Sequence, residues 1–152
     1  MSSPEARIAA LGIVLPEPFP PVGSYLSCQQ SGDLLFLGGH GPIDGEGMII
    51  GKVGTDLTLE QGREAARRTA LSILATMRAE LGSLDRVEQI VKVLGMVNVG
   101  GAFNQMPAVI GGCSDLLVEV FGERGRHTRS AVGLAALPFD IAVEIELIAR
   151  VV

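Results

Sequence analysis

Tryptophan is absent from this 152-residue sequence, and one tyrosine and five phenylalanines hold the aromatic content to 4%. A packed interior therefore has to be built from Ala, Val, Ile and Leu. Cysteine is scarce too. Cys28 and Cys113 are the only two, and no CxxC spacing joins them, so no zinc or redox centre is suggested. They read as reduced thiols, packed or idle. The two histidines, His40 and His127, belong to no HExxH pattern, and neither a P-loop nor a GxGxxG fingerprint occurs. Gly38-Gly39-His40-Gly41 has the glycines of a phosphate cradle without the Lys-Ser or Lys-Thr that completes one. A basic face is also missing. The formal net charge is −5, and the nearest approach to a cationic cluster, Arg124, Arg126 and Arg129, is interrupted by Glu123. This argues against a nucleic-acid partner. No apolar run is long enough to span a bilayer. Met1 to Glu5 lacks the basic and apolar regions of a signal peptide, so a cytoplasmic location is expected.

Hydrophobic residues at 47% and charged residues at 19% fit one packed domain. The 20 glycines exceed what helices tolerate and point to turns and close backbone approaches. Residues 1–22 read as an arm, with a helical turn at 7–12 followed by extended chain around Pro16, Pro18, Pro20 and Pro21. Residues 23–152 read as one domain. Strands are expected at 25–30 and 34–37, then a loop from Gly38 to Gly47, with a further short strand near Met48. Thr58 and Gln61 form a capping box that opens a helix ending at Gly82. Its buried stripe is Ala66, Ala70, Ile73, Leu74, Met77 and Leu81. A strand follows over 87–99, and a second helix over 106–121 with Pro107 in its first turn. The last two strands are expected at 129–137 and 142–151, joined as a pair by Pro138-Phe139-Asp140. The order β-β-α-β-α-β-β predicts an α+β fold, a mixed sheet with two helices on one face.

Alternation in the final strand separates Val143, Ile145, Leu147 and Ala149 from Glu144, Glu146, Ile148 and Arg150. In the strand before it, Arg129, Ala131, Gly133, Ala135 and Leu137 form one set. We expect this set on the open face, where small residues allow close approach and another subunit covers them. An arginine fork binds a carboxylate bidentately, and a glutamate in a partly dry cleft orients or deprotonates water. Pattern alone leaves open whether these charges form such a site or a solvated sheet face. No Ser-His or Cys-His pair is arguable from spacing.

Arg129-Ser130, Leu137-Pro138 and Val143-Glu144-Ile145-Glu146 together resemble the C-terminal signature of the RidA/YjgF family. Gly23-Ser24-Tyr25 resembles its early Gly-Pro-Tyr, and Leu37-Gly38-Gly39-His40-Gly41-Pro42 its Ser-Gly-Gln-x-Pro loop. The resemblance covers residues 20–150. It implies a chorismate-mutase-like fold, a homotrimer, and sites in clefts between subunits. It further implies hydrolysis of reactive 2-imino acids to 2-keto acids and ammonia, with no metal or cofactor. By this resemblance Arg129 holds the substrate carboxylate, Glu144 positions the attacking water, Tyr25 lines the pocket and the Gly39 backbone meets the imine end. Departures from the family pattern are Ala131 in place of a cysteine, Gly111-Gly112 in place of an asparagine, and His40 in place of the loop glutamine. They predict a reshaped or enlarged pocket bounded by Ala131, Gly111 and His40.

Three functions follow as expectations. The first is an imine or enamine deaminase. The second is a trimeric protein that binds a small carboxylate metabolite, or acts like a chaperone, without turnover. The third is a ribonuclease, which the net charge disfavours.

Overall fold

A computed structural model describes residues 2–152; Met1, the first residue of the arm, lies outside them. Helix α1 (Pro4–Ala10) is capped by Ser3, whose hydroxyl accepts from the Ala6 amide, and Gly12 (φ 67°) ends the turn that follows it. Glu5 ties the helix down by accepting from Arg78 and from the Leu84 amide. Strands β1 (Cys28–Ser31) and β2 (Leu34–His40) form a hairpin, and β3 (Ile43–Asp44) with β4 (Gly47–Met48) forms a small second one. Part of the segment read as loop is therefore strand.

Helix α2 (Leu59–Leu81) opens with both hydrogen bonds of the Thr58–Gln61 capping box and closes at Gly82 (φ 82°). All six residues of its expected stripe are buried. Strand β5 (Val87–Asn98) and helix α3 (Met106–Phe121) follow, and then β6 (Thr128–Leu134) and β7 (Val143–Val151). Helices α2 and α3 pack on one face of a five-stranded mixed sheet, as the element order predicts.

The sheet order is β1-β2-β7-β5-β6, so the final two strands are not a pair. Strand β5 lies between them, parallel to β6 through the α3 connection and antiparallel to β7. The link over residues 135–142 is long enough to step across one strand, and the sequence contains no tight two-residue hairpin turn there. Strand β6 is consequently an edge.

The two faces of β6 are also the reverse of the sequence expectation. Arg129 pairs with Val93, Ala131 with Gly95 and Gly133 with Val97, and Val93, Gly95 and Val97 are buried under the helices. A Cβ on Gly95 would meet Ile110 of α3 at 2.6 Å, and one on Gly133 would meet Met106 at 3.5 Å. The Arg129-Ala131-Gly133 set thus lies on the helix side. The open face carries Phe36, Leu94, Met96, Val132 and Ile148 with Lys92, Glu144 and Glu146. It is an apolar sheet face on which no layer lies among the described residues, larger in side chain than the small-residue surface expected.

Candidate active site

Strand β2 carries an irregularity that builds the site. Leu37 pairs with Leu147 and His40 with Ile145, so three steps on β2 match two on β7. One extra residue in this bulge puts both Leu37 and His40 on the helix side and leaves Gly39 beside Glu144. A Cβ at Gly39 would overlap the Glu144 carboxylate, with Cδ only 2.9 Å away. Glycine alone lets that carboxylate lie against the strand backbone.

A cavity of about 250 Å³ opens here, lined by Tyr25, Gly39, His40 and Glu144 among others. Four of the residues expected at a site therefore converge. Phe19, Pro20 and Pro21 of the arm, together with Phe139 and Ile141, complete an apolar wall. Glu144 is half-buried. Burial first, and the neighbouring Glu146 second, raise its pKa above the ordinary glutamate value. Such a carboxyl takes and returns a proton more readily near neutrality than an exposed one.

Tyr25 is 56% exposed, and its hydroxyl accepts from the Val22 amide at 3.3 Å. Gly23 permits this fold-back, since a Cβ there would meet the tyrosine ring at 3.1 Å. His40 is buried with both ring nitrogens engaged. Nδ1 lies 2.7 Å from the Gly38 carbonyl, which requires the proton there, and Nε2 accepts from Thr76 Oγ1 at 2.9 Å. Burial lowers its pKa against the opposing Gly38 hydrogen bond. The ring pins the bulge to α2 and reads as wall rather than as an acid or base.

Two neighbours of the cavity carry no sequence signal. Asn98 is fully buried, accepts from Lys52 Nζ at 2.8 Å, and donates to Asp140 Oδ1 at 2.8 Å and to the Ile141 carbonyl. It fastens a turn in which Phe139 and Asp140 both hold φ 58°, a left-handed conformation costly for phenylalanine. Phe139 projects from that turn at the cavity rim. The thiols stay outside the chemistry. Burial first and Glu80 second push Cys28 up to about 11, and burial pushes Cys113 up to about 12 despite the Arg129 cation.

Arg129, Ala131 and Gly111 lie elsewhere. Arg129 extends along α3, donating from Nη1 to Ser114 Oγ at 3.1 Å and from Nη2 to the Pro107 carbonyl at 3.3 Å. Ala131 packs against the core. Gly111 lies on the α3 stripe between Pro107 and Ser114, and its Cβ would meet Arg63 Nη1 at 2.7 Å. Gly112 closes the α2–α3 contact, where a Cβ would overlap the Arg63 carbonyl. These glycines serve helix packing and do not enlarge the cavity.

The register places Arg129 and Glu144 two strands and three residues apart, roughly 14 Å between Cα atoms, on opposite faces of the sheet. A three- or four-carbon acid does not reach both within one chain.

The comparisons agree with this architecture. Residues 5–151 match the family described as "YjgF/chorismate_mutase-like, putative endoribonuclease". Protein TCP17 of Trypanosoma cruzi is 43% identical over 143 residues, covering 93% of this chain and 89% of that protein. The crystal structure of Atu1372 from Agrobacterium tumefaciens, a protein of unknown function, superposes with TM-score 0.88 at 36% identity, covering 98% of this chain and 92% of the other. That of a "putative endoribonuclease" from Shewanella oneidensis gives TM-score 0.94 at 32% identity, covering 99% and 100%. With its fold, its bulged Gly-Gly strand and its Arg-Ser and Glu-Ile-Glu strands, the chain belongs to the YjgF/chorismate mutase-like family.

Proposed function

We propose that the protein hydrolyses small reactive 2-imino acids, and their enamine tautomers, to 2-keto acids and ammonia at a site shared by two copies of the chain in a homotrimer. The observation that carries this reading is the Glu144 carboxyl, half-buried, raised in pKa and pressed against Gly39 in an apolar cavity. Arg129 of one copy supplies the carboxylate anchor. Glu144, Tyr25 and the Gly39 backbone of its neighbour face the imine carbon. The unpartnered apolar sheet face supports assembly, because such a face is rarely left in water.

The chemistry balances without a further reactant. Glu144 as carboxylate takes one proton from water while the oxygen bonds to the iminium carbon. That proton passes from Glu144 to the nitrogen of the tetrahedral carbinolamine, and Glu144, ionised again, takes the hydroxyl proton as the C–N bond breaks, the carbonyl forms and ammonia leaves; this second proton departs with the ammonia as ammonium. An iminium carbon is already electrophilic, so the site mainly supplies orientation and a proton carrier.

A ribonuclease reading takes its support from the family's description and from the Shewanella structure. The net charge of −5 and a cavity lined by no lysine or arginine weigh against it. A non-catalytic carboxylate binder is the remaining alternative, and it predicts saturable binding of a small keto acid with no turnover of the imine. The test is keto-acid formation from 2-iminopropanoate generated in situ. Wild type is expected to exceed both Arg129→Ala and Glu144→Gln. Equal rates, or RNA cleavage surviving Arg129→Ala, would sink the proposal.

A further inference from the structure

On the helix-covered side of the sheet, a chain of hydrogen bonds has a fixed direction at every link. The Gly125 carbonyl can only accept, so His127 Nδ1, 2.6 Å away, carries the ring proton. His127 Nε2 is then the acceptor of the neutral ring, and Ser114 Oγ lies 2.9 Å from it. The hydroxyl hydrogen of Ser114 is committed to that link. Its oxygen is left as acceptor for Arg129 Nη1, at 3.1 Å. Pro107 takes Nη2 from the other side. Two of the five guanidinium N–H groups are thus held by α3, and three remain for a ligand. Burial first, and the Arg129 cation among the weaker influences, lower the His127 pKa although the Gly125 hydrogen bond opposes them, which keeps the ring in the required neutral form.

Arg129 needs such support. It is exposed on an edge strand, and a free arginine samples many rotamers, whose loss a bound carboxylate would have to overcome. We propose that Ser114 and His127 are positioning residues that hold the Arg129 guanidinium ready for a substrate carboxylate. This rests on the reading of Arg129 as the anchor. A serine donating to an oriented imidazole also has the outline of an activated nucleophile. Here the serine oxygen already accepts from a guanidinium and sits within a helix, which suits orientation rather than attack.

The experiment compares Ser114→Ala, Ser114→Thr and His127→Gln with wild type as intact oligomers of unchanged melting temperature. Two probes are used: 2-iminopropanoate for turnover and pyruvate for binding without turnover. Ser114→Ala should raise KM and the pyruvate Kd about tenfold with kcat within about twofold, the pattern of lost ground-state binding. Ser114→Thr should restore both, and ring nitrogen spectra should show the Nδ1–H tautomer of His127. Unchanged KM and Kd in Ser114→Ala, the opposite tautomer, or covalent labelling of Ser114 by a fluorophosphonate would overturn the proposal. If wild type binds pyruvate tenfold more tightly than Ser114→Ala yet turns over no imine, the deaminase reading fails and the positioning role stands. If wild type binds no carboxylate at all, the anchor fails and this proposal with it.

Discussion

The Glu144 cavity and the Arg129 edge differ in what each chain supplies on its own. Around Glu144 the strand bulge, the arm and the 138–140 turn enclose a space, and burial has already shifted the acid. Around Arg129 there is a guanidinium held along one side by α3, on an edge strand with no second wall. On the proposed reading, the first region is a pocket that lacks a carboxylate anchor and the second is an anchor that lacks a pocket. The Arg129 and Glu144 side chains point to opposite faces of one sheet, so the proposed site requires a second copy.

Breaking either half should have the largest effect. Arg129→Ala and Glu144→Gln are each expected to lower kcat/KM by about 10²–10³-fold, measured on 2-iminopropanoate. Arg129→Ala should act mostly through KM and Glu144→Gln mostly through kcat, and the reverse split would swap the assigned roles.

Next in size is Gly39→Ala. The added methyl displaces the Glu144 carboxylate, a flexible group, so the activity loss should be about tenfold with a melting temperature close to wild type. A folded variant of full activity would show that the contact between strand and carboxylate is irrelevant.

Asn98→Ala sharpens the comparison on the cavity side alone. It removes the donor to Asp140 Oδ1 and to the Ile141 carbonyl, while Lys52 keeps the Ala135 carbonyl, and should cost about 2–3 kcal/mol in denaturant unfolding. Pyruvate binding at Arg129, remote from this turn, should suffer far less.

The smallest effects concern pH. Glu144 works as a base when ionised, so the acid limb of kcat/KM should lie above the ordinary glutamate pKa, and it should vanish in Glu144→Gln. A raised folded-state pKa means that the folded protein binds the proton more tightly than the unfolded chain. The associated stability is present below the unfolded pKa and is lost as pH rises through the folded one. Glu144→Gln should therefore melt slightly higher than wild type at pH 7 and no higher at pH 3. A lower melting temperature at pH 7 would mean that the charge is stabilised where it lies.

Much of this was legible in the sequence. The capping box at Thr58, the α2 stripe, the bounds of α3 and the alternation of β7 all follow from local chemistry. The order of the strands did not follow, because insertion of β5 between β6 and β7 is a long-range choice that no local pattern records. The Arg129 set was expected on the open face because its residues are small, but Ala131 and Gly133 use that smallness on the helix side instead. The bulge at Gly38-Gly39 was hidden for a related reason, since its glycines read equally well as loop. Ser114 and His127 meet only because α3 packs over the entry to β6. Tyr25, Gly39, His40 and Glu144 were found through motifs, and the cavity unites them.

The site shared between copies is tested most directly by mixing two inactive variants. Arg129→Ala and Glu144→Gln chains, co-expressed or refolded together, form oligomers in which some interfaces pair an intact Arg129 with an intact Glu144. If the two residues act across chains, activity on 2-iminopropanoate should return to about one quarter of wild type, the statistical share of such interfaces. If they act within one chain, no mixed oligomer holds a complete site, and a mixture no more active than its parents would contradict the account.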